Sequence, residues 1–202
     1  MKFDFAVFYA EMEREAQASA NFESSMLRLV DRVQEWLPES DLSPLKQLDF
    51  SADMVSAKDW FKRLWSERPA QFDTRALYFG ISEEFVEDPE TSGIIAEYAR
   101  LYLVLFSEYK AGDETLEWIY GNNRFDYDDA RAELPALEAI GMICHQFKSG
   151  GSESYIALSV AYCVLLVKYL VCDLTTDGAA QTVGVVTGFS SGDLFKVCDV
   201  KM

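Results

Sequence analysis

The one histidine of the chain, His145, lies directly after Cys144, and a thiol beside an imidazole is the smallest unit that could perform nucleophilic catalysis. Leu134, Leu137, Ile140, Ile143 and Cys144 recur at helical spacing, however. Adjacent side chains on a helix point about 100° apart, so Cys144 and His145 do not converge on one substrate. With no second histidine to serve a Ser or Cys nucleophile, no catalytic residue is expected. Gly184, Gly188 and Gly192 match neither a P-loop nor a dinucleotide fingerprint, and turn and sheet-packing roles suffice for them. Cys144, Cys163, Cys172 and Cys198 form no CxxC pair, and three of them lie in apolar stretches. Buried free thiols of a reducing compartment are expected, with no metal and no cofactor.

Carboxylates are the other chemistry on offer. Asp and Glu number 34 against 18 Lys and Arg, for a net charge of −16 and a pI near 4.4. Half of the residues are hydrophobic and 14% are aromatic, so this is a folding chain and not a disordered acidic tail. Its field repels nucleic-acid phosphates and anionic membranes and attracts basic proteins. Asp126, Asp128 and Asp129 have something of a calcium loop's spacing but lack its glycine and its terminal glutamate. Much of the excess lies in two stretches. Glu83, Glu84, Glu87, Asp88 and Glu90 surround Phe85; Asp126, Asp128 and Asp129 follow Trp118, Tyr120 and Phe125 and enclose Tyr127. Rings beside carboxylates suit a face for a basic protein, the rings as desolvated anchors and the charges for steering and register. The expected partner-binding residues are therefore these acids together with Trp118, Tyr120 and Tyr127. The bland alternative is a solvated acidic surface that keeps the protein soluble.

The elements that must position these residues follow from periodicity. Phe5, Phe8, Tyr9 and Met12 predict a first helix, and Phe22 to Leu37 a second that Pro38 stops. Met54, Val55, Phe61, Leu64 and Trp65 mark a third, ending before Pro69. Arg75 to Ile81 is a short strand, and Glu83 to Glu90 an acidic loop broken by Pro89. Tyr98 to Tyr109 is nearly continuously apolar; a strand is favoured, with Trp118 to Tyr120 pairing back across Ala111-Gly112-Asp113, and a helix from near Ser92 is the alternative. Ala130 to Phe147 and Tyr155 to Cys172 predict two helices, the second long and apolar enough to raise the question of a membrane span. Lys168 within it and the acidic flanks Glu153 and Asp173 favour a buried core helix. Two apolar runs between Thr182 and Val200, separated by Ser190-Ser191-Gly192-Asp193, predict a hairpin.

This order predicts an α+β fold: N-terminal helices, a small mostly antiparallel sheet that includes a C-terminal hairpin, and two long helices packed on it. No linker or repeat divides the chain, so one domain is expected over residues 1–202, helical over about 1–69 and α+β over about 70–202. The N-terminus has no signal-peptide pattern, which points to the cytoplasm.

From Leu101 onward the succession LYLVLFSEY, EWIYGNNRFDYDDAR, LPALEAIGMI, SYIALSVAYCVLLVKYLV and VGVVTGFSSGDLFKV resembles bacterial proteins encoded beside polymorphic or contact-dependent toxins, immunity proteins among them. The resemblance covers about half of the chain and implies a cytosolic α+β protein that binds and blocks a cognate basic toxin without performing chemistry. An adaptor or chaperone for a secreted effector, and a metal-dependent hydrolase using the acidic cluster, are the alternatives.

Overall fold

The computed structural model describes residues 3–18, 21–87, 90, 94–110, 115–147, 150–172, 181–189 and 192–201. Three helices open the chain: α1 (Phe5–Gln17), α2 (Phe22–Trp36) and α3 (Phe50–Glu67). Each begins on a side-chain cap. Asp4 accepts from the Val7 amide at 3.1 Å, Asn21 from Ser24 at 2.8 Å and Asp49 from Ala52 at 2.9 Å, satisfying amides the helix itself cannot.

A five-stranded sheet follows, built from β1 (Ala76–Glu87), β2 (Ile94–Phe106), β3 (Arg124–Arg131), β4 (Thr182–Phe189) and β5 (Leu194–Lys201) in the order β3-β2-β1-β4-β5. Neighbouring strands are antiparallel except β1 and β4, which run parallel because the chain crosses over between them through α4 (Pro135–Cys144) and α5 (Gly151–Cys172). The fold is α+β, closed by the expected C-terminal hairpin.

Three segments differ from expectation. Glu83 to Glu87 continue β1 instead of forming a loop, paired with Ile94 to Ala99 across the hairpin. Strand alternation through Ser82, Glu84 and Val86 carries the ladder past the end of the core. Glu117–Tyr120 is a short 3-10 turn, and the strand that pairs back on β2 is Arg124–Arg131. The turn expected at Ala111-Gly112-Asp113 lies outside the described residues. Charged and aromatic residues alternate in β3, with Phe125 and Tyr127 packed inward, a pattern suited to an edge strand. The helix expected over Ala130 to Phe147 is confined to Pro135–Cys144, since Ala130 and Arg131 belong to β3 and Pro135 fixes the first turn.

α5 is the central element. Sheet strands β4 and β5 lie on one side of it and α1 and α2 on another, which is why its apolar residues run all round and not along one stripe. Its length and composition would also fit a membrane span, and most of it is buried within the fold. Trp60 and Phe61 of α3 pack on Phe79 of β1 at 6.2 and 5.8 Å between ring centroids. A buried carboxylate ties the helical layer together: Oδ2 of Asp53 accepts from the amides of Ala136 and Leu137 and from the Tyr162 hydroxyl.

Candidate protein-binding surface

Leu77, Phe79 and Ile81 of β1 face the helical core, but beyond Ile81 burial ends and the strand alternates between half-buried and exposed residues. Past Ile81 the β1 side of the distal β1–β2 hairpin leaves the buried core, while α4 still packs on the β2 side, with Gly141 against the backbone of Glu97 and Tyr98. On this hairpin Phe85, Ile94 and Ile95 are each about half exposed, at 50%, 52% and 51%. Glu83, Glu87 and Glu90 are exposed around them. Glu84 forms an ion pair with Arg131 at 2.9 Å, which joins this hairpin to the end of β3. Tyr155 of α5 reaches the hairpin base: burial raises its phenol pKa, and the charges of Glu83 and Glu97 raise it further. Asp88 lies outside the described residues. Three half-exposed apolar residues thus lie on one hairpin among exposed carboxylates, which makes it a candidate interaction surface.

The second acidic stretch divides. Tyr127 turns inward: its hydroxyl donates to the Leu64 carbonyl at 2.8 Å, its ring meets Phe125, and burial raises its pKa to about 12. It supports the fold and is not a free anchor. Trp118 is half-buried, its ring edge-on to Phe106 and Tyr109 at 5.1 and 5.7 Å. It helps to close a small second core on the sheet face opposite the helices. Asp126 pairs with Arg124 at 2.9 Å, Asp128 is exposed, and Asp129 lies within β3. Tyr120 remains 66% exposed, the freest of the three expected anchors.

Tyr120 and Asp126 meet at a cavity of about 410 Å³ on this second sheet face. Its floor is Tyr78, Val104 and Phe106, and Tyr102 and Tyr120 rise beside it. Tyr102 can lie there because Gly80 has no side chain: a Cβ on Gly80 would sit 2.1 Å from Tyr102 Cζ. Tyr109 covers Gly184 in the same way, with a Cβ 2.4 Å from its ring. Tyr78 donates to the Gly188 carbonyl at 3.0 Å, and burial, reinforced by Tyr102, raises its pKa.

The thiol–imidazole pair is separated as helix geometry requires. Cys144 is buried, with its pKa pushed up to about 12 by burial, while His145 is exposed at the end of α4. Among the described residues no group of three or more His, Cys, Asp or Glu is arranged to hold a metal ion.

Sequence reasoning singled out the acids from Glu83 to Glu90 as a loop but missed Ile94 and Ile95, a β-branched pair that follows the acidic run after Thr91-Ser92-Gly93. It also missed Tyr78 and Tyr102, which look like ordinary strand residues until the register lays Tyr102 over Gly80 and against Tyr78. Comparison of the chain with protein-family models, with curated proteins and with solved structures finds no match.

Proposed function

We propose that this is a non-enzymatic acidic binding protein of the cytoplasm that docks a basic protein partner, in the manner of an immunity protein blocking a cognate toxin. The observation that supports this most is the distal β1–β2 hairpin, where Phe85, Ile94 and Ile95 stand exposed among Glu83, Glu87 and Glu90. Apolar side chains there supply desolvated contact area, and the carboxylates select a surface rimmed by Lys and Arg. The net charge of −16 adds long-range steering, which acts on the association rate and weakens as salt screens it. A toxin acting on nucleic acid needs a basic cleft, and an acidic hairpin surface is suited to cover one. The resemblance of the region from Leu101 onward to immunity proteins belongs to the same reading.

The experiment is co-expression with the product of the adjacent gene, followed by titration calorimetry of the purified pair at low and high salt. Phe85→Ala should weaken binding at every salt concentration. The double reversal Glu83→Lys/Glu87→Lys should weaken binding most at low salt and flatten the salt dependence. Binding indifferent to salt and to both variants sinks the proposal.

A further inference from the structure

The cavity on the second sheet face is separate from the hairpin, and its chemistry is specific. Tyr78, Tyr102, Phe106 and Tyr120 contribute rings to it, and Tyr78 and Tyr102 meet edge to face, at 5.9 Å and 85°, so two of its aromatic walls stand at right angles. Among the described residues its rim carries one carboxylate, Asp126, whose Oδ2 is held by Nε of Arg124 at 2.9 Å. Several aromatic quadrupoles around one space, with an acid at the mouth, attract a positive charge that is only weakly hydrated. Among the described lining residues an inorganic cation would find a single carboxylate, Asp126. An anion would face the ring quadrupoles and a chain of net charge −16.

We propose that this cavity binds a guanidinium or alkylammonium group, carried either by a free small molecule or by a basic side chain of a partner. Arg124 already pairs with Asp126, and an incoming cation competes with it for that carboxylate. The volume of about 410 Å³ lies in the range of small-ligand sites and takes such a group together with its alkyl stem. The inference does not depend on the hairpin.

The test is a two-dimensional NMR titration of the full chain with choline, with argininamide, and with 3,3-dimethylbutan-1-ol as the uncharged isostere of choline. Saturable shifts confined to the cavity residues are expected for at least one cation, with the neutral isostere weaker by about tenfold or more. Tyr120→Ala, at an exposed position, should weaken the cation about tenfold. Asp126→Asn should also weaken it, whereas Phe85→Ala should leave it unchanged. Arg124→Gln decides the sign of the ligand, since removing that charge should tighten cation binding about three- to tenfold. A Gly-Ser peptide with one central arginine separates the sources: binding tighter than argininamide points to a partner's side chain, and equal binding to a free small molecule. Equal affinity for choline and its isostere, weaker binding in Arg124→Gln, or no saturable shift with any cation overturns the proposal.

Discussion

Asp53 offers the sharpest test of how the helical layer is held. It is 2% exposed in the first turn of α3, and its Oδ2 accepts from Ala136 N at 2.9 Å, Leu137 N at 3.3 Å and Tyr162 Oη at 2.6 Å. α4 has Leu134 where a capping side chain would stand and Pro135 at its first position, so its next two amides depend on this remote carboxylate. Replacing Asp53 with alanine leaves three donors without an acceptor, and Leu137 and Tyr162 are both fully buried. At roughly 1–1.5 kcal/mol for each buried donor left unmade, less the relief from no longer burying a carboxyl, the loss is about 3–4 kcal/mol. Tyr162→Phe removes one of the three bonds without stranding a donor and should cost about 1.5 kcal/mol.

The two substitutions cannot be additive if this account holds. In the Asp53→Ala background, Tyr162→Phe has no hydrogen bond left to lose and also removes an orphaned hydroxyl, so the double variant should be more stable than the sum predicts, by about 2.5–3 kcal/mol. Urea unfolding followed by tryptophan fluorescence and far-UV circular dichroism measures this. With an m-value of about 2 kcal/mol/M, Asp53→Ala should lower the midpoint by about 1.5–2 M at unchanged m. Hydrogen exchange should show α4 opening before the sheet. A loss below about 1 kcal/mol, or additivity within about 0.3 kcal/mol, refutes the claim that Asp53 pins α4.

The same carboxyl has a pH signature, because burial outweighs its three hydrogen bonds and raises its pKa. A carboxyl raised on folding binds its proton more tightly in the native state. Its contribution is full below the unfolded value of about 4 and is lost as pH rises through the folded value. The advantage of wild type over Asp53→Asn should therefore shrink between about pH 4 and neutrality, and an advantage that grows over that range would contradict the assignment. Gly141→Ala should cost about 3 kcal/mol, since the added Cβ would sit 2.2 Å from the Glu97 carbonyl oxygen, a backbone atom that cannot step aside; thermal melts check it. By contrast Phe85→Ala and Ile94→Ser, at half-exposed positions, should change stability by no more than about 0.5 kcal/mol, and a larger loss would mean that the hairpin serves the fold instead of a partner.

Much of the fold was legible because its signals are local. Helical spacing located α1 to α3, Pro38 and Pro69 marked ends, and turn residues between two apolar runs gave the closing hairpin. For the long apolar helix, Lys168 and the acidic residues Glu153 and Asp173 favoured a buried core helix over a membrane span. What local pattern could not supply was register. Arg124 to Arg131 is too charged to resemble a strand until it is placed at a sheet edge, where alternating charge is an advantage. Asp53 and Tyr162, 109 positions apart, carry no mutual signal at all.

The candidate site divides along the same line. An acidic run with a neighbouring phenylalanine is visible in a sequence, and Glu83, Phe85 and Glu87 do stand together on the hairpin. The anchor role expected of Tyr127 failed for a reason that composition cannot express. Its position in β3 directs it at α3, where the Leu64 carbonyl takes its hydroxyl. Conversely, Tyr78 and Tyr102 acquire meaning only through the pairing of Gly80 with Tyr102, which lets one ring lie across the bare backbone. On the proposed reading, charge selects the class of partner, and sheet register determines which rings are left exposed to meet it.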